Sequence, residues 1–343
     1  MRALVALLAL AACADPAGPA SREVTLATTV GADGLSPEVV FTLPEGSRSV
    51  TIVVEGAPEA LYALGAFALG DRTDRIGLPG ESPGPAMQMA YLNEQIGQMP
   101  GALYQSIRLG TFTHVYPYRP GQELVPGAAM IRVASDTPGP VSVRVLMPPD
   151  DGASVLPLNI YVVGDELGER VTPAFTAELE RLLAQASITP RIDLVETITG
   201  TSLERIMDFS EPQEAPTSMS AMLPSLVADR ETEGLDVFLV ESLPPGVAGL
   251  ALGTPGPPVR GSYYFGIVVR GDAGAMQLAR VVAHEAGHFL ALQHVQNVGV
   301  SGRTYPDPLD DTRVGDDNLM EGGTTLTPDQ AFALSRSALL VAP

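Results

Sequence analysis

The segment from His284 to His294 reads H-E-A-G-H-F-L-A-L-Q-H and holds three of the four histidines in this 343-residue chain. No other stretch limits the backbone so tightly. Residues four apart in an α-helix lie one turn apart on the same face, so His284 and His288 can reach one metal ion together. Glu285 stands beside them, where a carboxylate can take a proton from a water held by the metal. His294 follows His284 by ten positions, and a continuous helix would carry it about 280° around the axis, away from the other two. A helix must therefore end between His288 and His294 if all three are to meet. Its start is expected near Asp272, a good N-cap, with Met276, Val281 and Val282 inside it. Val282, Ala286 and Phe289 fall on the face opposite the histidines and are expected to pack into the core.

The pattern resembles the metzincin clan of zinc endopeptidases, whose long signature is H-E-x-x-H-x-x-G-x-x-H with a later methionine in a tight turn beneath the metal. The resemblance implies that His284, His288 and His294 ligate one catalytic Zn2+ and that Glu285 is the general base. Asp317-Asn318-Leu319-Met320-Glu321-Gly322-Gly323 looks like the Met-turn, with Met320 as its methionine. One position departs from the signature: Ala291 stands where the clan has glycine. Glycine suits a helix break because it tolerates positive φ. Alanine in a left-handed conformation costs roughly 1–2 kcal/mol, which a metal site can over-determine. Were the helix to run on past Ala291, Glu321 would be the alternative third ligand; its place before Gly322-Gly323, in a turn, favours His294.

The chain is long enough for two domains of ordinary size. Arg2 precedes an apolar run from Ala3 to Ala9, and Leu10-Ala11-Ala12-Cys13 follows. This looks like a bacterial lipoprotein signal over residues 1–12, cleaved before a lipid-bearing Cys13, with residues 13–22 as a small, polar tether. It implies a lipid-anchored protein of the cell envelope, outside the cytoplasm, meeting the membrane through its N-terminus. Cys13 is the only cysteine, so the domains have no disulfide and no thiol nucleophile or ligand. Twenty basic against forty acidic residues give a formal charge of −20, which excludes electrostatic binding of nucleic acid. The acids Asp307, Asp310, Asp311, Asp316 and Asp317 gather between His294 and Met320. Oxygen-rich loops suit Ca2+, but a solvated loop is the favoured reading and the spacing is not that of an EF-hand.

The fold class expected is multidomain: an N-terminal all-β sandwich over residues 23–150, then an α/β (α+β) metzincin-like zinc peptidase domain over residues 155–343. Strand-like runs recur at Val24–Val30, Val39–Leu43, Val50–Val54, Ile107–Phe112, Met130–Ala134 and Val141–Met147, separated by turn signals such as Pro44-Glu45-Gly46. The Pro- and Gly-interrupted stretch from Gly70 to Gly101 reads as a long excursion, and its Met87, Met89 and Met99 as packing residues. His114, close to Tyr116 and Tyr118, reads as a sandwich residue. Pro148 to Gly152 reads as the linker.

Beyond it the pattern is mixed. A strand at Leu158–Val163 precedes a helix from about Thr172 to Gln185, and strands are expected at Ile192–Val195, Leu235–Val240, Val247–Leu252 and Tyr263–Val269 before the motif helix. The resemblance implies that the fourth of these is antiparallel, lies at the sheet edge and borders the cleft; its small residues suit pairing with an extended peptide. Thr327-Pro328-Asp329-Gln330 reads as a capping box opening a last helix.

Three functions compete: a zinc endopeptidase acting on peptide or protein substrates, a non-enzymatic surface lipoprotein with a structural zinc and a binding sandwich, and a narrow amidase or cell-wall peptidase. Glu285 argues against the second, since a structural zinc site does not need it.

Overall fold

The computed structural model describes residues 22–73, 105–108, 110–135, 137–164, 167, 169–206, 222–262, 264–298 and 304–343. The signal segment, Cys13, the tether up to Ser21, and Met87, Met89 and Met99 lie outside the described residues.

Before residue 150 the described strands are β1 Glu23–Val30, β2 Val39–Leu43, β3 Val50–Glu55, β4 Tyr62–Ala68, β5 Gln105–Arg108, β6 Thr111–Tyr116, β7 Gly127–Ser135 and β8 Gly139–Leu146. They form a five-stranded sheet in the order β1-β8-β3-β6-β5 and a three-stranded sheet in the order β2-β7-β4, antiparallel throughout. Alternation assigns the faces. In β2, Val39, Phe41 and Leu43 are buried while Val40 and Thr42 are exposed, as a half-buried strand requires. These residues join Val50, Ile52 and Val54 of β3 and Ile131 and Val133 of β7 in one core between the two sheets.

Two elements here differ from expectation. Ile107–Phe112 is not one strand: β5 and β6 pair with Arg108 opposite Thr111, and Gly110 at φ 81° reverses the chain between them. β4 carries no clear strand signal because Gly65 and three alanines dilute it, and the ladder to β7 is shifted between Leu64 and Ala66, where glycine allows the irregularity. His114 is fully buried on β6, its ring edge-on to Phe67 at 5.6 Å.

From residue 155 the chain becomes a sheet-rich α/β structure with few helices. The order is β9 Val155–Val163, α1 Pro173–Leu183, β10 Thr189–Ile198, β11 Leu235–Val240, β12 Gly249–Ala251, β13 Ile267–Arg270 and α2 Ala275–Phe289. The sheet runs β10-β9-β11-β13-β12; β12 is antiparallel to β13 and the remaining pairs are parallel. Every residue of β9 and β11 is buried, because both faces of these strands are covered. On one face Leu158 and Ile160 pack with Phe175 and Leu179 of α1 and with Leu278 and Val282 of α2. On the other, Tyr161 and Phe238 pack with Leu223 and Val227 of a 3-10 segment. A hairpin, β14 Gln296–Val298 with β15 Thr304–Pro306, and α3 Pro328–Ser335 complete the described elements.

The expected strand Tyr263–Val269 contributes only Ile267–Arg270, and Val247–Leu252 contracts to Gly249–Ala251. Helix α2 is capped by Gly274, not Asp272. The Asp272 carboxylate instead accepts a hydrogen bond from Arg270 Nε at 2.7 Å, which holds it away from the helix. Across the 148–152 segment, buried Arg48 donates from Nη2 to the carbonyls of Ser337 and Leu340 at 2.9 and 3.3 Å.

One buried carboxylate joins the two helices on the sheet. Glu178 of α1 accepts from Arg181 Nε at 2.8 Å and from Arg280 Nε of α2 at 2.9 Å. The Arg181 and Arg280 guanidiniums hold its pKa down to about 2, against the burial that opposes them. Glu178→Gln is expected to destabilise the fold at pH 7 by about 1.5–3 kcal/mol, the range for hydrogen bonds to charged groups. Because the folded pKa is depressed, the stabilisation is fully present above the ordinary glutamate value and fades as pH falls toward about 2. Urea unfolding of both proteins across that range should show the two curves converging in acid.

Candidate metal centre

Helix α2 places His284 and His288 on one face, and the chain then turns back to bring His294 to them. The turn is closed by two hydrogen bonds: Leu292 N–H to Gly287 O at 2.8 Å and Ala291 N–H to His288 O at 3.1 Å. This pairing is a Schellman motif, with Ala291 in the position that usually holds glycine. Ala291 has φ 112° and is buried, so the strain expected of it is present, at about 1–3 kcal/mol.

The result is convergence. His294 Nε2 lies 3.2 Å from His284 Nε2 and 3.1 Å from His288 Nε2. The opposite ring nitrogens decide the tautomers. His284 Nδ1 lies 2.7 Å from the Leu319 carbonyl and His288 Nδ1 lies 2.8 Å from the Leu292 carbonyl. A carbonyl can only accept, so each Nδ1 carries the proton and each Nε2 presents a lone pair to the common point. Burial pushes the His284 and His294 pKa values down, and that of His288 to about 3, with neighbouring imidazoles adding to the effect at His284 and His288. The rings are therefore neutral near pH 7.

The two fixed inward lone pairs, with the His294 Nε2 brought to the same point, form a donor set that a cation can bridge. Zinc–nitrogen bonds of 2.0–2.1 Å at tetrahedral angles put the nitrogens about 3.3–3.4 Å apart, close to the two separations found. The donor set fits a divalent metal ion. Among the described residues this triad is the one group of three or more histidine, cysteine or acidic side chains so gathered.

Glu285 is buried beside the triad and faces β12. Burial pushes its pKa up to about 8, opposed by the backbone hydrogen bond from Ala251. The approach of strand and carboxylate depends on Gly249. A methyl group there would lie 2.6 Å from Glu285 Cγ and 2.7 Å from Oε1, distances that carbon does not tolerate. This glycine was not singled out in the sequence; only its place in a short, small-residue edge strand hinted at a close approach.

Beneath the helix, Met320 is fully buried. Its sulfur sits 2.9 Å from where a Cβ on Gly287 would be, so the methionine packs directly under the H-E-A-G-H turn. The segment that carries it is a 3-10 turn, Leu319–Glu321, capped by Asn318, whose Oδ1 accepts from Met320 N–H at 2.9 Å. Asn318 also exchanges two amide hydrogen bonds with Gln330, and Gln330 completes the capping box with Thr327 at the start of α3. Thus the last helix fixes the turn whose Leu319 carbonyl orients His284.

Glu321 is not part of the triad; its Oε1 accepts from Gln296 N–H at 3.0 Å. The acids of the loop do not converge either. Asp311 receives Thr327 Oγ1 and Asp329 N–H, Asp317 receives Thr324 N–H and Oγ1, and Asp307 bonds Thr312 Oγ1. Each of these three braces a turn.

The triad and Glu285 open onto a cleft of about 590 Å³ walled by β12, by α2 and by Gly322 and Gly323. β12 is antiparallel and lies at the sheet edge, where its outer backbone groups border this cleft.

No family model matches the chain, and no curated protein does. Among solved structures it is similar to metalloproteinase-II from Bacteroides fragilis, at 17% identity and TM-score 0.27, over 46% of this chain and 48% of that one. It is also similar to the protein YXIM of Bacillus subtilis, at 12% identity and TM-score 0.15, over 59% of this chain and 44% of that one. The chain thus spans about half the length of the solved structures it matches. Overlaps this partial carry no weight for fold or function; the geometry of the triad does.

Ala291→Gly should relieve the strain at the turn, retain the metal and leave the melting temperature unchanged or raised. Loss of metal in that variant, read by elemental analysis, would contradict the role given to the positive φ. Gly249→Ala should do the reverse at the strand: overpacking against Glu285 is expected to cost about 1–3 kcal/mol in thermal unfolding while the triad keeps its metal.

Proposed function

We propose that this protein is a zinc-dependent endopeptidase of the metzincin type, with His284, His288 and His294 as ligands and Glu285 as general base. The observation that carries the reading is the convergence of three imidazole Nε2 atoms beside a buried carboxylate at the floor of an open cleft. Zinc, when bound, supplies Lewis acidity that makes water a nucleophile near neutral pH and polarises a carbonyl.

The chain's own groups do the rest. Glu285 takes the proton of the attacking water and passes it to the leaving amine. Its raised proton affinity suits a group that must hold a proton between those two events, and a cation at the triad favours its ionised form beforehand. The edge strand β12 offers backbone hydrogen bonds to an extended peptide. Gly322 and Gly323, without side chains, leave the facing wall open to a substrate residue.

A structural zinc in a non-enzymatic lipoprotein is less well supported. Structural sites are closed by four protein ligands, whereas the described residues gather three and leave a cleft in front of them.

The proposal includes a two-part chain, a β-sandwich over 23–150 and a peptidase over 155–343. It also includes export to the bacterial cell envelope with a lipid on Cys13, which rests on the sequence of the first thirteen residues. Cys13→Ser should then release the protein from membranes or block its processing, and unchanged detergent-dependent partitioning would count against the anchor.

Glu285→Gln should keep the fold and the zinc yet lose peptide hydrolysis by on the order of 10^2–10^4-fold. Near-normal turnover of a casein or peptide-library substrate by that variant would reject the mechanism. In a paired zinc titration, His294→Ala should lose affinity severely while Glu321→Ala retains the metal; the opposite outcome would reassign the third ligand.

A further inference from the structure

We propose that Arg280 makes the cleft select an acidic side chain close to the scissile bond, so that the substrates are peptides carrying Asp or Glu there. This rests on the peptidase reading and specifies its substrate class.

Arg280 precedes His284 by four residues on α2 and lines the same cleft. One helical turn separates them, about 6 Å along the axis. An extended peptide advances about 3.3 Å per residue, so Arg280 lies within reach of a side chain no more than about two residues from the bond above the triad. Among the described residues that line the cleft, Arg280 and Glu285 are the only ones of the Asp, Glu, Lys and Arg types. Glu285 is committed to the reacting centre, which leaves Arg280 as the one fixed charge available to a substrate side chain.

The guanidinium is held for that purpose from behind. Its Nε donates to Glu178 Oε1 at 2.9 Å, and the side chain remains 36% exposed. Glu178 does not neutralise it, because the same carboxylate also receives Arg181 through Nε and Nη2. Two guanidiniums share one carboxylate, and Asp317 acts on Arg181, so Arg280 is the less fully compensated of the two cations. With Nε anchored, the Nη1 and Nη2 hydrogens are left to form the fork that carboxylates accept bidentately. In a chain of net charge −20 the general field does not favour acidic polypeptides. That field is largely screened over about 8 Å at physiological salt, whereas a direct pair within the cleft is not.

The walls agree with a side chain having an apolar stem and a charged tip. Val281, the next residue, and Leu319 also line the cleft, which suits the methylenes of glutamate.

The test uses zinc-loaded full-length protein and fluorogenic peptides that are identical except for Glu, Gln, Leu or Lys at each of the two positions on either side of the cleaved bond. At 0.15 M salt, roughly physiological, the wild type should favour Glu over Gln at one position by about tenfold or more in kcat/KM. Arg280→Met, which keeps the apolar stem, should level that ratio. Its folding is checked by circular dichroism and zinc content. A wild-type Glu-to-Gln ratio near one at every position would overturn the proposal without any variant, and leave the peptidase reading intact. A ratio that persists in folded Arg280→Met would also overturn it. Absence of any cleavage by zinc-loaded wild type would reject the peptidase reading, and this inference with it.

Discussion

The site depends on where one helix stops. Two imidazoles on successive turns cannot surround a cation from one side, so the third must come from chain that has reversed direction. The reversal after His288 is made by hydrogen bonds from Ala291 and Leu292 back to the last turn of α2, at the expense of a positive φ on an alanine. Each group in that turn serves twice. Leu292 donates its N–H to end the helix and offers its carbonyl to His288 Nδ1. Gly287 accepts the closing hydrogen bond and, lacking a Cβ, admits the Met320 sulfur beneath it. The arrangement of the three imidazoles and the helix terminus are one structure, which is how a strained alanine persists there.

Around this turn the chain builds support from both sides. The Leu319 carbonyl orients His284, and the turn that carries it is tied through the Asn318–Gln330 amide pair to α3. Across the cleft, β12 approaches Glu285 so closely that only glycine fits at 249. Behind α2, Glu178 ties the helix to α1 through Arg280. Ligand orientation, base environment and helix position therefore rest on backbone carbonyls, buried amides and one ion pair, groups whose positions the fold fixes before any ligand arrives. Such preorganisation is what a catalytic centre requires.

Much of this was legible in the sequence, and the reasons divide cleanly. The approach of the three histidines was readable because the residue types and helical spacing of H-E-x-x-H are ones that packing does not imitate. The buried strands β9 and β11 were readable as apolar runs, and α3 from its capping box. What escaped depends on partners distant in sequence. β4 is poor in strand formers and owes its place to pairing with β7; the β5–β6 turn at Gly110 hides inside a strand-like run. The hairpin of β14 and β15 is too short to show periodicity. Asp272 looked like a helix cap because a sequence does not reveal that Arg270 will claim its carboxylate. Gly249 is an ordinary glycine until Glu285 is set against it, and Glu178 an ordinary helix acid until Arg280 arrives from the other helix.

In the proposed site three neutral imidazoles, one of them delivered by the strained turn, hold a single zinc ion. X-ray absorption at the zinc edge of the purified, zinc-loaded protein tests it most directly. Three imidazole nitrogens at about 2.0–2.1 Å should dominate the coordination, with the remaining position filled by a light oxygen ligand. A shell with only two imidazoles and a protein carboxylate, or no stoichiometric zinc in folded protein, would contradict it.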